Sequence, residues 1–521
     1  MYYKYIVAIT LGLFFGLIIA FTANFSTEIF LVSLLLSVSN FLVHKFTKRS
    51  FGVYKSQIPT ILTFFFLILS LGILFGQLNL SSSLSRESEF QNAISHQNDF
   101  SGIISNVSIS QNSQNFTLNI EDENFKQDIF KIKITTSLFP LYKAGDKILV
   151  TGKIKTENII LPNLEQNNKS FDSQIKNKLS GINGETSFPK IQIVSQNSSG
   201  NILYKLENIK TQFVKILEKD TNIDTAALSA GTLLGDSSLL SKEDINDFRI
   251  AGISHIIVLS GFNITILIFI LIYIFSLLNL RLFWRVTLSI FSIIFFILFV
   301  GAGASIVRAG IMGSTLLLAS LYGRQYVARQ ALFISAFVMM ILNPEIALSD
   351  VSFHLSFLAT LGILYLVPIF NNYKILNLDK IENKFIKKIF FSISEILKVT
   401  LAVQLMVMPY TIFTFGKISI FGIFANILAV PFVPTVMLFS VLIILFSFFA
   451  NFISVFFGYV SYIFCEFIFS VARFISHLPF SQIEFSISTF SLFVIYVVLF
   501  LLINFETNRQ KIKSHNEKIE K

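Results

Sequence analysis

Residues 253–276 read ISHIIVLSGFNITILIFILIYIFS, a stretch without Asp, Glu, Lys or Arg. About 20 mostly apolar residues are enough for a helix to cross the hydrocarbon layer. Similar runs lie downstream at 286–301, 303–322, 328–343, 350–370, 391–414, 418–447, 451–475 and 485–505, and upstream at 4–22, 27–44 and 57–79. They predict a polytopic α-helical membrane protein with about 10–12 spans. The 286–322 region reads as a hairpin or a re-entrant segment, and Pro431 and Pro434 mark 418–447 as a broken helix. Composition agrees. Of 521 residues 53% are hydrophobic and 14% charged, 60 are Phe, and the mean hydropathy is +0.69. A soluble protein wets its surface with roughly 25% charged residues, so a soluble globular enzyme is excluded. The single cysteine, Cys465, lies in an apolar run and allows neither an intrachain disulfide nor a cysteine-based metal or redox site.

Between 80 and 200 the chain turns rich in Ser, Asn, Gln and Lys. Residues 101–109, 115–120, 129–135 and 147–154 alternate apolar and polar, the period of half-buried strands. With a tight turn at Lys143–Lys147, they predict an inserted small β-barrel of the oligonucleotide/oligosaccharide-binding (OB) type. The domain plan is then 1–79, N-terminal transmembrane helices; 80–200, an OB-like β domain; 201–250, amphipathic linker helices; 251–505, a second transmembrane domain; and 506–521, a basic tail.

Charge orients this plan. The formal net charge is +10. Lys45, Lys48, Arg49 and Lys55, then Arg281 and Arg285, Arg324 and Arg329, the 371–390 lysines and the tail all fall on one side of the predicted spans. By the positive-inside rule, both termini are cytoplasmic and residues 80–200 extracytoplasmic. Basic and acidic residues balance within the β domain. Lys131, Lys133, Lys143, Lys147 and Lys153 nevertheless cluster there, and they are its candidate contacts to a polyanion such as DNA. Phe116, Phe125, Phe130 and Tyr142 have the rings to stack bases, but they fit a barrel core better.

Polar residues inside apolar spans are costly, and each is a candidate for function. The first group is Asp236, Arg249, His255, Ser260, Gly261 and Asn263. On an ideal helix His255 and Ser260 lie far apart around the axis, whereas Ser260 and Asn263 share a face. The second is Arg308, in a stretch of small residues (GAGASIVRAGIMGS, 301–314) that favours close helix packing. Its guanidinium suits a phosphate or a partner such as Asp350. The third is Asp350, His354 and Ser356, with Asp350 and His354 four residues apart. Gln404 and Asn426 read as hydrogen-bonding groups between helices. No residue is assigned as catalytic or metal-binding.

Several strings occur in an order that resembles the ComEC-type competence protein family, the inner-membrane channel of DNA uptake. These are Gly235-Asp236-Ser237-Ser238, then Phe248-Arg249 through Gly252, His255, Ser260 and Gly261, then Val307-Arg308-Ala309 with Met312, and finally Asn343-Pro344 followed by Ser352-Phe353 and Leu355-Ser356-Phe357. The resemblance covers about residues 1–505. Two positions depart from it: Phe262-Asn263 stands where Leu-His is common, and His354 where Gln is common. The resemblance implies passage of single-stranded DNA across the membrane during natural transformation. It implies no cofactor, and as partners single-stranded DNA, membrane lipid, a DNA receptor, a separate nuclease and a cytoplasmic motor; it is compatible with a homo-oligomer. Many members carry a metallo-β-lactamase-like nuclease domain with an H-x-H-x-D-H cluster. The six histidines here lack that spacing, so strand degradation is expected of another protein. There is no G-x-x-x-x-G-K-[ST] phosphate loop, so an external energy source is expected. The alternatives are a transporter of another anionic polymer or lipid-linked precursor, and an intramembrane enzyme built from His255, Ser260, Asp350 and His354.

Overall fold

The computed structural model describes residues 2–22, 33, 37, 65–79, 99–109, 113–120, 130–137, 140, 142–154, 182–195, 202–257, 259–344, 346, 350–372 and 384–519. Most of the expected 27–44 span, the Lys45–Lys55 cluster, Phe125 and much of the 371–390 loop lie outside them. Seven described helices are long and apolar enough to cross a membrane, and five shorter apolar helices accompany them. The chain is a multi-pass membrane protein. Its contacts fall into two compact units, 1–212 with 264–353, and 213–263 with 354–521.

The first unit opens with α1 (Tyr2–Thr22) and α2 (Phe65–Asn79). They cross closely: a methyl added to Gly16 would fall 2.5 Å from the Leu69 carbonyl. The β domain follows, with β1 (Asp99–Ile109), β2 (Ser113–Ile120), β3 (Lys131–Ser137), β4 (Lys147–Thr151), β5 (Ile182–Ser187) and β6 (Lys190–Ser195). Alternation puts Ile132 and Ile134, and Ile148 and Val150, into one core with Phe100, Ile104, Phe116, Leu118, Phe130 and Tyr142. At the predicted tight turn Gly145 adopts φ +95°, and Asp146 Oδ2 accepts from the Lys143 amide at 3.1 Å.

The six strands form one sheet in the order β5-β3-β2-β1-β4-β6. All neighbours are antiparallel except β3 and β5, which run parallel. The edge strands β5 and β6 are not paired to each other, so among the described residues the ladder is a sheet and not the closed barrel expected. The β5–β6 segment went unread because only Phe188-Pro189 interrupts it and its apolar residues are few.

Four further helices belong mainly to this unit: α7 (Gly261–Leu277), α8 (Leu282–Val300), α9 (Ala304–Leu321) and α10 (Ala328–Leu342). The 286–322 region is a hairpin of α8 and α9. It turns at Gly301 (φ +108°) and Ala302 (φ +53°). The small residues of α9 allow the approach: a methyl on Gly310 would lie 2.5 Å from Ile297 Cδ1, and one on Gly313 would collide with Ile268 Cδ1.

The second unit takes the end of α3 (Ile202–Asp220), then α4 (Ile223–Leu234), α5 (Lys242–Ile250) and α6 (Ser254–Ile257). After these come α11 (Val351–Asn371), α12 (Lys384–Phe415), β7 (Lys417–Ser419), α13 (Gly422–Ala429), α14 (Val433–Ser447), α15 (Asn451–Ser476), β8 (Gln482–Glu484) and α16 (Thr489–Ile519). α3 is amphipathic, as expected of 201–250, but α4 buries nine of its residues, among them Thr225, Ser229 and Thr232, and is a core helix. The partners α14 and α15 meet along a phenylalanine seam in which Phe439 stacks on Phe464 at 6.0 Å. β7 and β8 pair, and Lys417 bridges to Glu484 at 2.9 Å.

Candidate functional site

The motif around Phe248 is built by helix-ending chemistry. α5 closes with Ile253 N–H bonded to the Phe248 carbonyl and Gly252 N–H to the Arg249 carbonyl, a Schellman end. Gly252 supplies the required left-handed residue (φ +74°), and a methyl there would lie 2.9 Å from Ser419 Cβ. Phe248 is fully buried and meets the Phe469 ring edge-on at 5.4 Å. Two of the motif's positions are thus explained by packing. Arg249 and His255 are exposed, and packing explains neither.

Asp236 has a local role as well. Gly235 ends α4 at φ +68°, and Asp236 Oδ1 accepts from the Ser238 amide at 3.0 Å. Ser260 and Asn263 do come together: Ser260 Oγ donates to Asn263 Oδ1 at 3.3 Å. Asn263 is 3% exposed, and its Nδ2 donates to the Thr232 carbonyl at 2.8 Å. The start of α7 is thereby tied to the end of α4. The helix is interrupted between Ile257 and Gly261, so the ideal-helix placement of His255 relative to Ser260 does not apply.

Arg308 is half-buried on α9, with Nη1 3.3 Å from Met312 Sδ. Tyr326, in the following loop, lies within electrostatic reach. Burial raises its phenol above the ordinary value, and the guanidinium partly offsets that. The expected Arg308–Asp350 pair does not form. Asp350 Oδ1 instead accepts from the amides of Ser352 (2.8 Å) and Phe353 (3.2 Å), capping α11. His354 therefore has a different partner: its Nδ1 lies 2.8 Å from Tyr410 Oη on α12. Ser356 and Gln404 are half-buried on α11 and α12.

Asn426 was expected to bond between helices. Its Oδ1 is buried without a hydrogen-bond partner among the described residues. It sits one turn before the break that Pro431 and Pro434 impose between α13 and α14, where the chain passes through a single 3₁₀ turn, Val430–Phe432. Thr225 Oγ1 and Ser229 Oγ are also buried in this unit, beside the Cys465 thiol. On the β domain Lys131 and Lys133 alternate with core isoleucines and so point outward, Lys133 bridging to Glu185 at 2.9 Å. Lys143 and Lys153 are exposed, and Lys147 is half-buried.

Sequence reasoning missed two charged residues. Arg473 on α15 gathers Asp244 (3.1 Å), Asp224 (3.5 Å) and Glu466 (3.8 Å), fastening α4 and α5 to that helix. Lys398 is 9% exposed and bonds to Glu395 at 2.9 Å and Asn371 at 3.2 Å. Both positions fall inside apolar spans, where a lone basic residue was the signal to follow. No group of three or more His, Cys, Asp or Glu suited to a metal occurs among the described residues.

Residues 232–509 match the competence protein family. The match covers more than half of the chain, and the chain belongs to that family. It is also similar to ComE operon protein 3 of Bacillus subtilis (strain 168), 25% identical over 235 residues. That alignment takes in 44% of this chain and only 28% of the relative. No solved structure matches it.

Proposed function

We propose that this chain conducts single-stranded DNA into the cytoplasm during DNA uptake, acting as a conduit and not as an enzyme. The observation that carries the reading is the broken span Gly422–Ser447. Pro431 has no N–H to give the Ile427 carbonyl, and Asn426 Oδ1 beside it is buried without a hydrogen-bond partner among the described residues. Irregular backbone inside a membrane span is tolerated where it is buried in protein or lines a wet cavity. A polar lining is what a phosphate chain requires to cross ~30 Å of hydrocarbon. Family membership supplies DNA uptake as the context.

The enzyme reading asks for a serine activated by histidine. Ser260 donates to Asn263, and the His354 ring is engaged by Tyr410. On this reading both termini are cytoplasmic, and the β domain faces outward and receives the strand. An OB-type barrel is supported there by one relationship: β5 lies on β3, β6 lies on β4, and only Phe188-Pro189 separates them. One bent strand would span the opening.

Reconstituted proteoliposomes test the proposal. Labelled single strands should become protected from external nuclease in vesicles holding the chain, and Asn426→Leu should reduce the protected fraction severalfold. Equal protection in empty vesicles and in vesicles with the protein would remove the conduit.

A further inference from the structure

The corner between β5 and β6 carries a side chain that the fold does not use. Phe188 is 68% exposed and has a φ of +53°. A bulky residue at positive φ is an outlier that costs free energy unless its surroundings impose it. Pro189 restricts its backbone further. The corner is held from both sides. Phe188 N–H donates to the Thr135 carbonyl of β3 at 2.7 Å. Thr186 Oγ1 donates to the Lys153 carbonyl beyond β4 at 3.1 Å, and Lys190 pairs with Thr151. A glycine would satisfy the same backbone bonds without strain. The ring gains no burial in return, whereas Phe100, Phe116, Phe130 and Tyr142 are all buried in the core. The fold therefore bears a cost for displaying this aromatic face.

What surrounds the ring indicates its partner. Lys153 and Lys190 are both exposed, and the pairings above bring them to the same corner. An exposed apolar ring at a corner that also carries two exposed lysines suits a base and its neighbouring phosphates, the combination by which single strands are held without sequence preference. We propose that Phe188 is the base-stacking post of the β domain for single-stranded nucleic acid, with Lys153 and Lys190 taking the neighbouring phosphates. This rests on the conduit reading and gives it a point of first contact.

The test uses the full chain in nanodiscs and a fluorescent oligothymidylate at fixed salt. Phe188→Gly and Phe188→Leu should weaken binding about fivefold or more, while Phe188→Trp should stay within about twofold of wild type. The thermal midpoint of Phe188→Gly should equal or exceed that of wild type, which separates lost stacking from lost fold. In a Trp284→Phe background, the Phe188→Trp indole should be quenched by the oligonucleotide. Wild-type binding with all three variants unchanged overturns the post and leaves the conduit standing. Absence of binding by wild type removes both. Quenching by brominated lipid in place of DNA overturns the proposal in favour of a membrane anchor, for which exposed Ile193 and Val194 on β6 would be the companions.

Discussion

Tyr410 Oη lies 2.8 Å from Nδ1 of His354, with the two rings 5.1 Å apart. The bond links α11 to α12 by polar groups inside two apolar helices. The His354 position, where the family resemblance leads one to expect glutamine, thus keeps a hydrogen-bonding group. Tyr410→Phe should destabilise the purified protein by about 1 kcal/mol. His354→Ala should cost as much or more. Thermal unfolding of the double variant should show a coupling of about 0.5–1.5 kcal/mol; additive losses would mean that the two side chains act independently.

Asn263 closes α4 onto α7 through the Thr232 carbonyl. Asn263→Leu keeps the branched outline but strands that carbonyl and removes the acceptor of Ser260. We expect a loss of about 1–3 kcal/mol, read as a lower denaturation midpoint in detergent. Asn263→Asp should fare no better, since a carboxylate cannot donate to a carbonyl.

Arg473 is the fastening point of α4 and α5. Arg473→Met retains the stem and leaves Asp244, with 11% of its side chain exposed, without its cation. The Arg473 side chain is 41% exposed, so solvent screening limits the expected loss to about 1–2 kcal/mol. Asp244→Asn in the Arg473→Met background should recover part of it. Failure of that rescue would show that packing on Phe469, 5.2 Å below the guanidinium, matters more than charge.

Ile134 is fully buried at the centre of the β-domain core. Ile134→Ala should cost this domain about 2–5 kcal/mol, measured by limited proteolysis of the full chain. Lys143→Ala, at an exposed turn, should leave the cleavage pattern unchanged. Equal sensitivity of the two variants would contradict the assigned core.

The helices and first four strands were legible because burial writes a period into the sequence. The apolar runs left 286–322 open between a hairpin and a re-entrant segment and marked the proline break in 418–447, and alternation gave β1 to β4 to within a few residues. The site was less legible, since a polar residue in a span announces cost and not partner. Asp350 was one of two partners offered for Arg308, the other a phosphate, and it caps its own helix. Asn426 was read as a bridging group, yet its oxygen has no partner among the described residues. α4 falls in the 201–250 stretch expected to form amphipathic linker helices, and it packs in the core. Each of these depends on which distant helix arrives alongside, and local pattern does not encode that.

The central claim is conduction of a single strand, and uptake by a transformable host tests it most directly. Labelled duplex DNA would be given to cells carrying the intact gene, a deletion, Arg308→Ala or Asn426→Leu, and label protected inside the cytoplasm would be scored. The account predicts that surface binding persists in all four, that internal label is lost in the deletion, and that it falls severalfold in both variants. Normal internal label in the deletion strain would contradict it.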